Sequence, residues 1–203
     1  MFRKKLDIEF IKSCPLGVRF PDPMEFEIAV TGRSNVGKSS LINTMTNVAK
    51  IARVSSRPGC TQAVNYFKVD NKFFLADLPG YGYAKAPKRL VMEFRELMQD
   101  YFEEREEHII GLQIVDSRRG ILQLDEDMMN LFIAGNIPFI VVATKIDKLK
   151  KQARVQSLRD MKKSPYLKDV KLIPFSSHNG EGKDELNKAL DELLEEYRAN
   201  KLD

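Results

Sequence analysis

The chain has 203 residues, of which 43% are hydrophobic and 31% charged, with a formal net charge of +4 and a pI near 8.9. That length suits one domain, 1–203, able to bury roughly 70 per cent of its unfolded surface, and the balance excludes a disordered, collagen-like or membrane-embedded chain. The modest positive charge favours an anionic partner without marking a protein that coats nucleic acid.

The N-terminal stretch Met1 to Asp7 is basic, but Asp7 and Glu9 interrupt any apolar core of a signal peptide. Residues 1–24 read as an N-terminal extension, with an edge strand around Leu6 to Ile11 before a connection through Pro15, Pro21 and Pro23. Cys14 and Cys60 are too few and too scattered for a disulfide framework and read as free thiols in a reducing compartment. The longest apolar stretch, Ile137 to Thr144, is far short of the ~20 residues that span a bilayer. The expectation is a cytoplasmic protein with no membrane insertion.

Glu25 to Thr31 reads as a strand ending at Gly32, and Lys38 to Asn47 as a helix with Leu41, Ile42 and Met45 on its apolar side. Val64 to Val69 and Lys72 to Ala76 form an antiparallel pair about a tight Asp70-Asn71 turn. Pro87 opens a helix through Arg105, since proline costs little in a first turn. A strand over Ile109 to Val115 follows, then a helix over Leu124 to Ala134 and a strand over Phe139 to Ala143. A helix over Lys151 to Lys162, a strand over Lys171 to Phe175 and a helix over Lys183 to Ala199 complete the series. Alternating strands and helices mean parallel strands joined by crossover helices. The fold class is therefore α/β, a mostly parallel six-stranded sheet with one antiparallel hairpin strand and helices on both faces. Met92, Met98, Met128 and Met129 read as core, while His108 and His178 have no spacing that suggests a metal or a catalytic base.

Gly32-Arg33-Ser34-Asn35-Val36-Gly37-Lys38-Ser39 fits G-x-x-x-x-G-K-[ST] and lies between a strand and a helix, the setting in which backbone N–H groups cradle phosphates. Lys38 is placed to bridge the β- and γ-phosphates and the Ser39 hydroxyl to enter the shell of Mg²⁺, with Ser40 beside it. Asp77-Leu78-Pro79-Gly80 ends the second hairpin strand, where Asp77 holds Mg²⁺ through water and the Gly80 N–H touches a γ-phosphate. Alone this pattern is also an ordinary turn. Thr144-Lys145-Ile146-Asp147 ends another strand. The Asp147 carboxylate accepts from guanine N1–H and its exocyclic amine, which adenine cannot offer there, and the stem of Lys145 lies along the base. Phe175-Ser176-Ser177 follows the last strand and reaches the same end. Arg57 to Gln62 is a loop in which Thr61 gives a second hydroxyl to Mg²⁺, with Gly59, Cys60, Gln62 and Ala63 flanking it.

Arg118, Arg119, Lys148, Lys150, Lys151, Lys162 and Lys163, with Lys85, Lys88 and Arg89, are either a solvated face or an RNA-facing surface.

The strings Gly32 to Asn43, Arg57 to Gln62, Asp77 to Tyr83 and Val115 to Gly120 resemble those of the EngB family of small bacterial GTPases. The resemblance covers Glu25 to the C-terminus. It implies a cytoplasmic, monomeric GTPase using GTP, GDP and Mg²⁺ and tied to assembly of the large ribosomal subunit, whose loss disturbs cell division and septation. It makes Thr61 part of switch I and the stretch after Gly80 switch II, with Lys38, Thr61 and Gly80 at the chemistry. Asn35 resembles a P-loop asparagine that helps hold K⁺ in related septin- and Era-type proteins; its other reading is a plain loop cap. Two positions depart from the Ras-type pattern: Thr144 replaces the first Asn of N-K-x-D, and Tyr81 stands where a catalytic Gln is placed. A phenol cannot orient an attacking water as an amide does, so slow intrinsic hydrolysis is expected. Two alternatives stay open: a non-catalytic, nucleotide-gated module at the division machinery, and an ATP-using P-loop protein.

Overall fold

A computed structural model of the chain describes residues 6–48, 51, 62–82 and 87–201. Seven strands form one sheet: β1 (Ile8–Pro15), β2 (Glu27–Gly32), β3 (Ala63–Val69), β4 (Phe73–Asp77), β5 (Ile109–Asp116), β6 (Phe139–Thr144) and β7 (Leu172–Pro174). Their order across the sheet is β1-β3-β4-β2-β5-β6-β7. Among the described residues the α-helices are α1 (Lys38–Thr46), α2 (Lys88–Arg105), α3 (Gln123–Ala134), α4 (Lys151–Met161) and α5 (Lys183–Asn200).

β2, β5 and β6 are buried at every position, because crossover helices cover both faces of the parallel centre. On one face α1 and α5 bring Leu41, Ile42, Met45, Leu186 and Leu190 against Ile28, Val30 and Leu112. On the other, α2 and α3 bring Leu97, Met98, Met128, Met129 and Phe132 against Ala29, Val141 and Ala143. Gly111 in β5 makes this second face possible: a Cβ there would stand 2.7 Å from Phe139 Cβ and 2.9 Å from the Phe132 ring. Those two rings stack at 5.2 Å.

The six expected strands are joined by the N-terminal edge strand, which runs further than Ile11, to Pro15, paired antiparallel with β3 around a register shift between Phe10 and Lys12. Proline closes this edge strand at no cost in ladder hydrogen bonds. Antiparallel pairing therefore occurs twice, in β1/β3 and in the β3/β4 hairpin. The hairpin turn is closed by Lys72 N–H donating to the Val69 carbonyl at 2.9 Å, with Asp70 (φ 49°) and Asn71 (φ 55°) in the left-handed region their residue types tolerate. Met92 is corrected: it is 60% exposed on the outer side of α2, while Met98, Met128 and Met129 are buried. Helical spacing alone does not say which stripe of a helix meets the sheet.

At the end of β2 remote from Gly32, Glu27 is buried with Tyr101 and Arg105. Burial, relieved only in part by the hydrogen bond from Tyr101 and the charge of Arg105, raises its carboxyl from 4.5 to about 7. Between those values the unfolded chain ionises this group and the folded chain does not, so its contribution to stability is full below pH 4.5 and declines as pH rises to about 7. Glu27→Gln is therefore expected to stabilise the fold relative to the parent at pH 8, by on the order of 1–3 kcal/mol and so with a higher melting temperature, and to leave stability unchanged near pH 4.5. Thermal melts at the two pH values test this; a variant less stable at pH 8 contradicts it.

Candidate functional site

The C-terminal ends of β2, β4, β5, β6 and β7 carry the site, as expected of an open parallel sheet. β2 ends at Gly32, whose backbone passes so close to β5 that a Cβ would lie 2.9 Å from the Ile114 carbonyl oxygen. The loop then turns through Arg33, Ser34, Asn35 and Val36. Asn35 (φ 62°) and Gly37 (φ 108°) both take left-handed conformations, so the loop geometry by itself gives a reason for asparagine at 35. α1 begins at Lys38, with Ser39 and Ser40 in its first turn and no acidic side chain there to compete for its N-terminal N–H groups, a setting suited to an anion.

Lys38 Nζ donates to Asp77 Oδ1, a contact in which the carboxylate is 1% and the lysine 13% exposed. The lysine that the sequence assigns to phosphate and the carboxylate it assigns to a metal therefore meet at one point. Leu78 N–H donates to the Val30 carbonyl (3.1 Å), carrying the chain past β2 to Pro79 and Gly80. Gly80 lies against Ser34: a Cβ there would be 3.2 Å from the Ser34 Cα, N and Oγ. Gln62 and Ala63 lead into β3, whereas Gly59, Cys60 and Thr61 lie outside the described residues, as do Tyr83 and Lys85.

At the end of β6 the Thr144 hydroxyl lies 2.6 Å from the Val36 carbonyl and 3.0 Å from the Val115 carbonyl, tying the P-loop to β5 and β6. Threonine in place of asparagine thus keeps a donor toward the P-loop. Lys145 (φ 60°) crosses to the same loop, where Nζ donates to the Asn35 carbonyl and to Asp116 Oδ2 at 3.0 Å. Ile146 is buried and opens a short 3-10 turn that presents Asp147. Asp147 Oδ1 accepts from Ser176 Oγ at 2.8 Å, and Lys148 stands 3.4 Å from the other oxygen. Partial burial opposes its ionisation, but these two partners outweigh burial and hold the carboxyl below its usual range. Phe175 N–H donates to the Ala143 carbonyl (2.8 Å), which locks the Phe175-Ser176-Ser177 segment beside β6. The Gly32–Ser39 loop and the segments that follow β6 and β7 are in this way parts of one bonded assembly.

Asp116 had no assigned role in the sequence reading. Burial raises its carboxyl, yet the hydrogen bonds of Arg118 and Lys145 prevail and bring it to about 2, so it is a fixed negative charge that aims Lys145. The Val115 to Gly120 string that carries the resemblance contains Asp116, but its partner Lys145 is 29 residues away and left no local sign of the pairing. The picture of Tyr81 as a phenol at the phosphates is corrected. Its side chain is 6% exposed and turned into the protein, donating to Asp125 Oδ1 (2.7 Å) and accepting from Gln113 Nε2 (2.6 Å). Of the basic residues, Arg118 is held by Asp116 (2.7 Å), Lys163 by Asp160 (2.7 Å) and Arg89 by Glu93 (3.0 Å). Among the described residues no helix is long and apolar enough to cross a membrane.

Comparison with known proteins agrees with this geometry. The family model of the 50S ribosome-binding GTPases matches residues 27–145. The "probable GTP-binding protein EngB" of Lactobacillus gasseri is 45% identical over 176 residues, 86% of this chain and 91% of that one. Its namesake in Desulforapulum autotrophicum is 39% identical over 188 residues, 93% of this chain and 97% of that one. Among solved structures, the crystal structure of a probable GTP-binding protein EngB superposes with a TM-score of 0.68 at 27% identity, covering 84% of this chain and 99% of that one. Era in complex with MgGDPNP and nucleotides 1506–1542 of 16S ribosomal RNA superposes with a TM-score of 0.60 at 26% identity, covering 82% of this chain and 56% of that one. The fold is that of the P-loop GTPases.

Proposed function

The chain belongs to the EngB family of GTP-binding proteins, and on that footing we propose that it is a GTP-hydrolysing switch that docks on the large ribosomal subunit during assembly of that particle. Normal cell division and septation depend on it through that assembly, and it acts as a cytoplasmic monomer. The observation that carries this reading is the meeting of Lys38, at the start of α1, with the buried carboxylate of Asp77, in the same bonded assembly as Asp147 and Ser176. The family model, whose members are described as 50S ribosome-binding GTPases, supports the ribosomal partner.

In this reading the N–H groups of Asn35 and of Gly37 to Ser40 receive the phosphates, and Lys38 leaves Asp77 to bridge the β- and γ-oxygens. Asp147 accepts from the guanine edge, Lys145 lies along the base, and Thr144, Ile146, Phe175, Ser176 and Ser177 hold that edge in place. Gly80 faces the γ-phosphate, and the family resemblance assigns Gly59, Cys60 and Thr61, which lie outside the described residues, together with Gln62 and Ala63, to switch I. The donor set suits Mg²⁺: a hydroxyl at Ser39 and a carboxylate at Asp77 are hard oxygen donors, and Asp77 is 1% exposed with a cation already against it. Ser39 and Thr61 would bind the ion directly and Asp77 through water; when bound, it neutralises charge on the β- and γ-oxygens. The chemistry left to the chain is electrostatic, with Lys38 and fixed amides opposing charge on the transferring group.

Tyr81, which follows Gly80 in the place of a glutamine, has no amide and keeps its phenol bonded to Asp125 and Gln113 inside the protein, which supports slow hydrolysis by the chain alone. Single-turnover hydrolysis below about 1 per second without a partner, accelerated by large-subunit particles, is the expected result. Hydrolysis that particles do not change favours the nucleotide-gated module at the division machinery. Asn35 supports a role for K⁺ near the phosphates, and faster turnover in K⁺ than in Na⁺ buffer is expected; equal rates leave Asn35 as a residue chosen for its left-handed backbone.

A further inference from the structure

We infer that Tyr81 is a positioning residue that sets how firmly this chain distinguishes a nucleoside triphosphate from a diphosphate. The inference rests on the placing of Gly80 at the γ-phosphate given above.

Two sets of bonds meet at Tyr81. Its backbone is paired to the phosphate loop: its N–H points to the Gly32 carbonyl (3.4 Å), its carbonyl accepts from Ser34 N–H (2.8 Å), and Arg33 and Tyr81 form a parallel bridge. This pairing presses Gly80 onto Ser34, which a Cβ at Gly80 would have to push back by a few tenths of an ångström. The Ser34 hydroxyl at this junction is buried and has no partner among the described residues.

The phenol is fixed from the other side by a directional chain. Thr31 Oγ1, one residue before Gly32, donates to Gln113 Oε1 at 2.6 Å. That bond orients the amide, so Nε2 donates to the phenol oxygen at 2.6 Å. The phenol proton then has one destination, Asp125 Oδ1 at 2.7 Å. Asp125 Oδ2 accepts from Leu122 N–H (3.0 Å) and so caps the first turn of α3. Thr31, Gln113, Tyr81 and Asp125 are all buried, and a buried polar chain with every proton placed tolerates little displacement.

Gly80 is thereby held in place before a γ-phosphate arrives. A diphosphate does not reach Gly80 and does not sense this ordering; a triphosphate does, because binding to a preordered donor costs less entropy. Tyr81→Phe keeps the ring in its cavity, 6.4 Å from Phe94 between centroids, but takes the phenol from Asp125 Oδ1 and leaves Gln113 Nε2 with only the long 3.5 Å contact to the Ile114 carbonyl. It loosens Gly80 while removing no atom of the phosphate loop, whose bonds to Tyr81 are made by the backbone and remain available.

The test is calorimetric titration of GDP and of the non-hydrolysable analogue GMPPNP, both with Mg²⁺, into the parent, Tyr81→Phe and Asp125→Asn chains. In Tyr81→Phe the analogue is expected to bind about tenfold more weakly, as loss of one buried hydrogen bond implies, with GDP affinity kept within about twofold. The Asp125→Asn amide has one oxygen for two donors, so it shifts the ratio in the same direction and decides the matter alone if Tyr81→Phe does not fold. Equal weakening of both nucleotides, or an unchanged ratio with only a lowered melting temperature, overturns the role of Tyr81. A parent chain that binds no GDP instead overturns the nucleotide reading itself, which keeps the two failures apart.

Discussion

Replacing Asp147 by asparagine is expected to cost the site its preference for guanine and to give it one for xanthine. The Asp147 side chain is 14% exposed, and its ionised form is held by Ser176 at 2.8 Å and Lys148 at 3.4 Å. A carboxylate offers only acceptors, which match the N1–H and amine of guanine. An asparagine offers one acceptor and one donor; the donor repels the guanine amine and matches the carbonyl that xanthine carries there. Loss of charge-assisted bonds together with a mismatched donor should weaken GDP binding on the order of 10²–10³-fold, while XDP binding strengthens. Competition between GDP and XDP reads both changes at once. A variant whose GDP affinity falls by less than about threefold would show that Asp147 does not read the base.

Lys38→Ala is expected to have the larger effect on chemistry. Its ammonium is the one cation the described residues bring against Asp77, at the point where the N-terminus of α1 opens on the phosphate loop. Removing a fixed charge opposite the transferring group should lower single-turnover hydrolysis by at least about 10²–10³-fold, the scale seen when one such donor is lost. Diphosphate binding falls less, because the loop amides remain. The empty protein also suffers, because the Asp77 carboxylate, 1% exposed, loses its counter-charge. The melting temperature without nucleotide should therefore drop. Mg²⁺ should restore part of the loss if Asp77 faces the metal as proposed. Near-parental hydrolysis in Lys38→Ala contradicts this assignment of the lysine.

What the sequence made legible follows from the range of the interactions involved. The phosphate loop is contiguous, its glycine and asparagine conformations are local, and the strand and helix on either side are strongly patterned, so Gly32 to Ser39 could be read from one segment. The placing of Asp147 just past the end of β6 was legible because the apolar run before it marks the strand, while its part in reading a base is the proposal tested above. The environment of Tyr81 was not: Gln113 and Asp125 are 32 and 44 residues away, and nothing near Tyr81 signals an inward phenol. Asp116 was missed for the same reason. The N-terminal edge strand was found but stopped short, because its length is set by its partner β3 and not by its own alternation. Met92 shows the converse limit, since a helical apolar pattern gives period but not depth.

The account as a whole turns on a guanine-nucleotide state that governs docking on the large ribosomal subunit. Co-sedimentation of the chain with large-subunit particles, in GMPPNP and in GDP at matched salt, tests it most directly. Binding in GMPPNP that is lost or much reduced in GDP is the predicted result; failure to bind in both states would contradict the ribosomal reading.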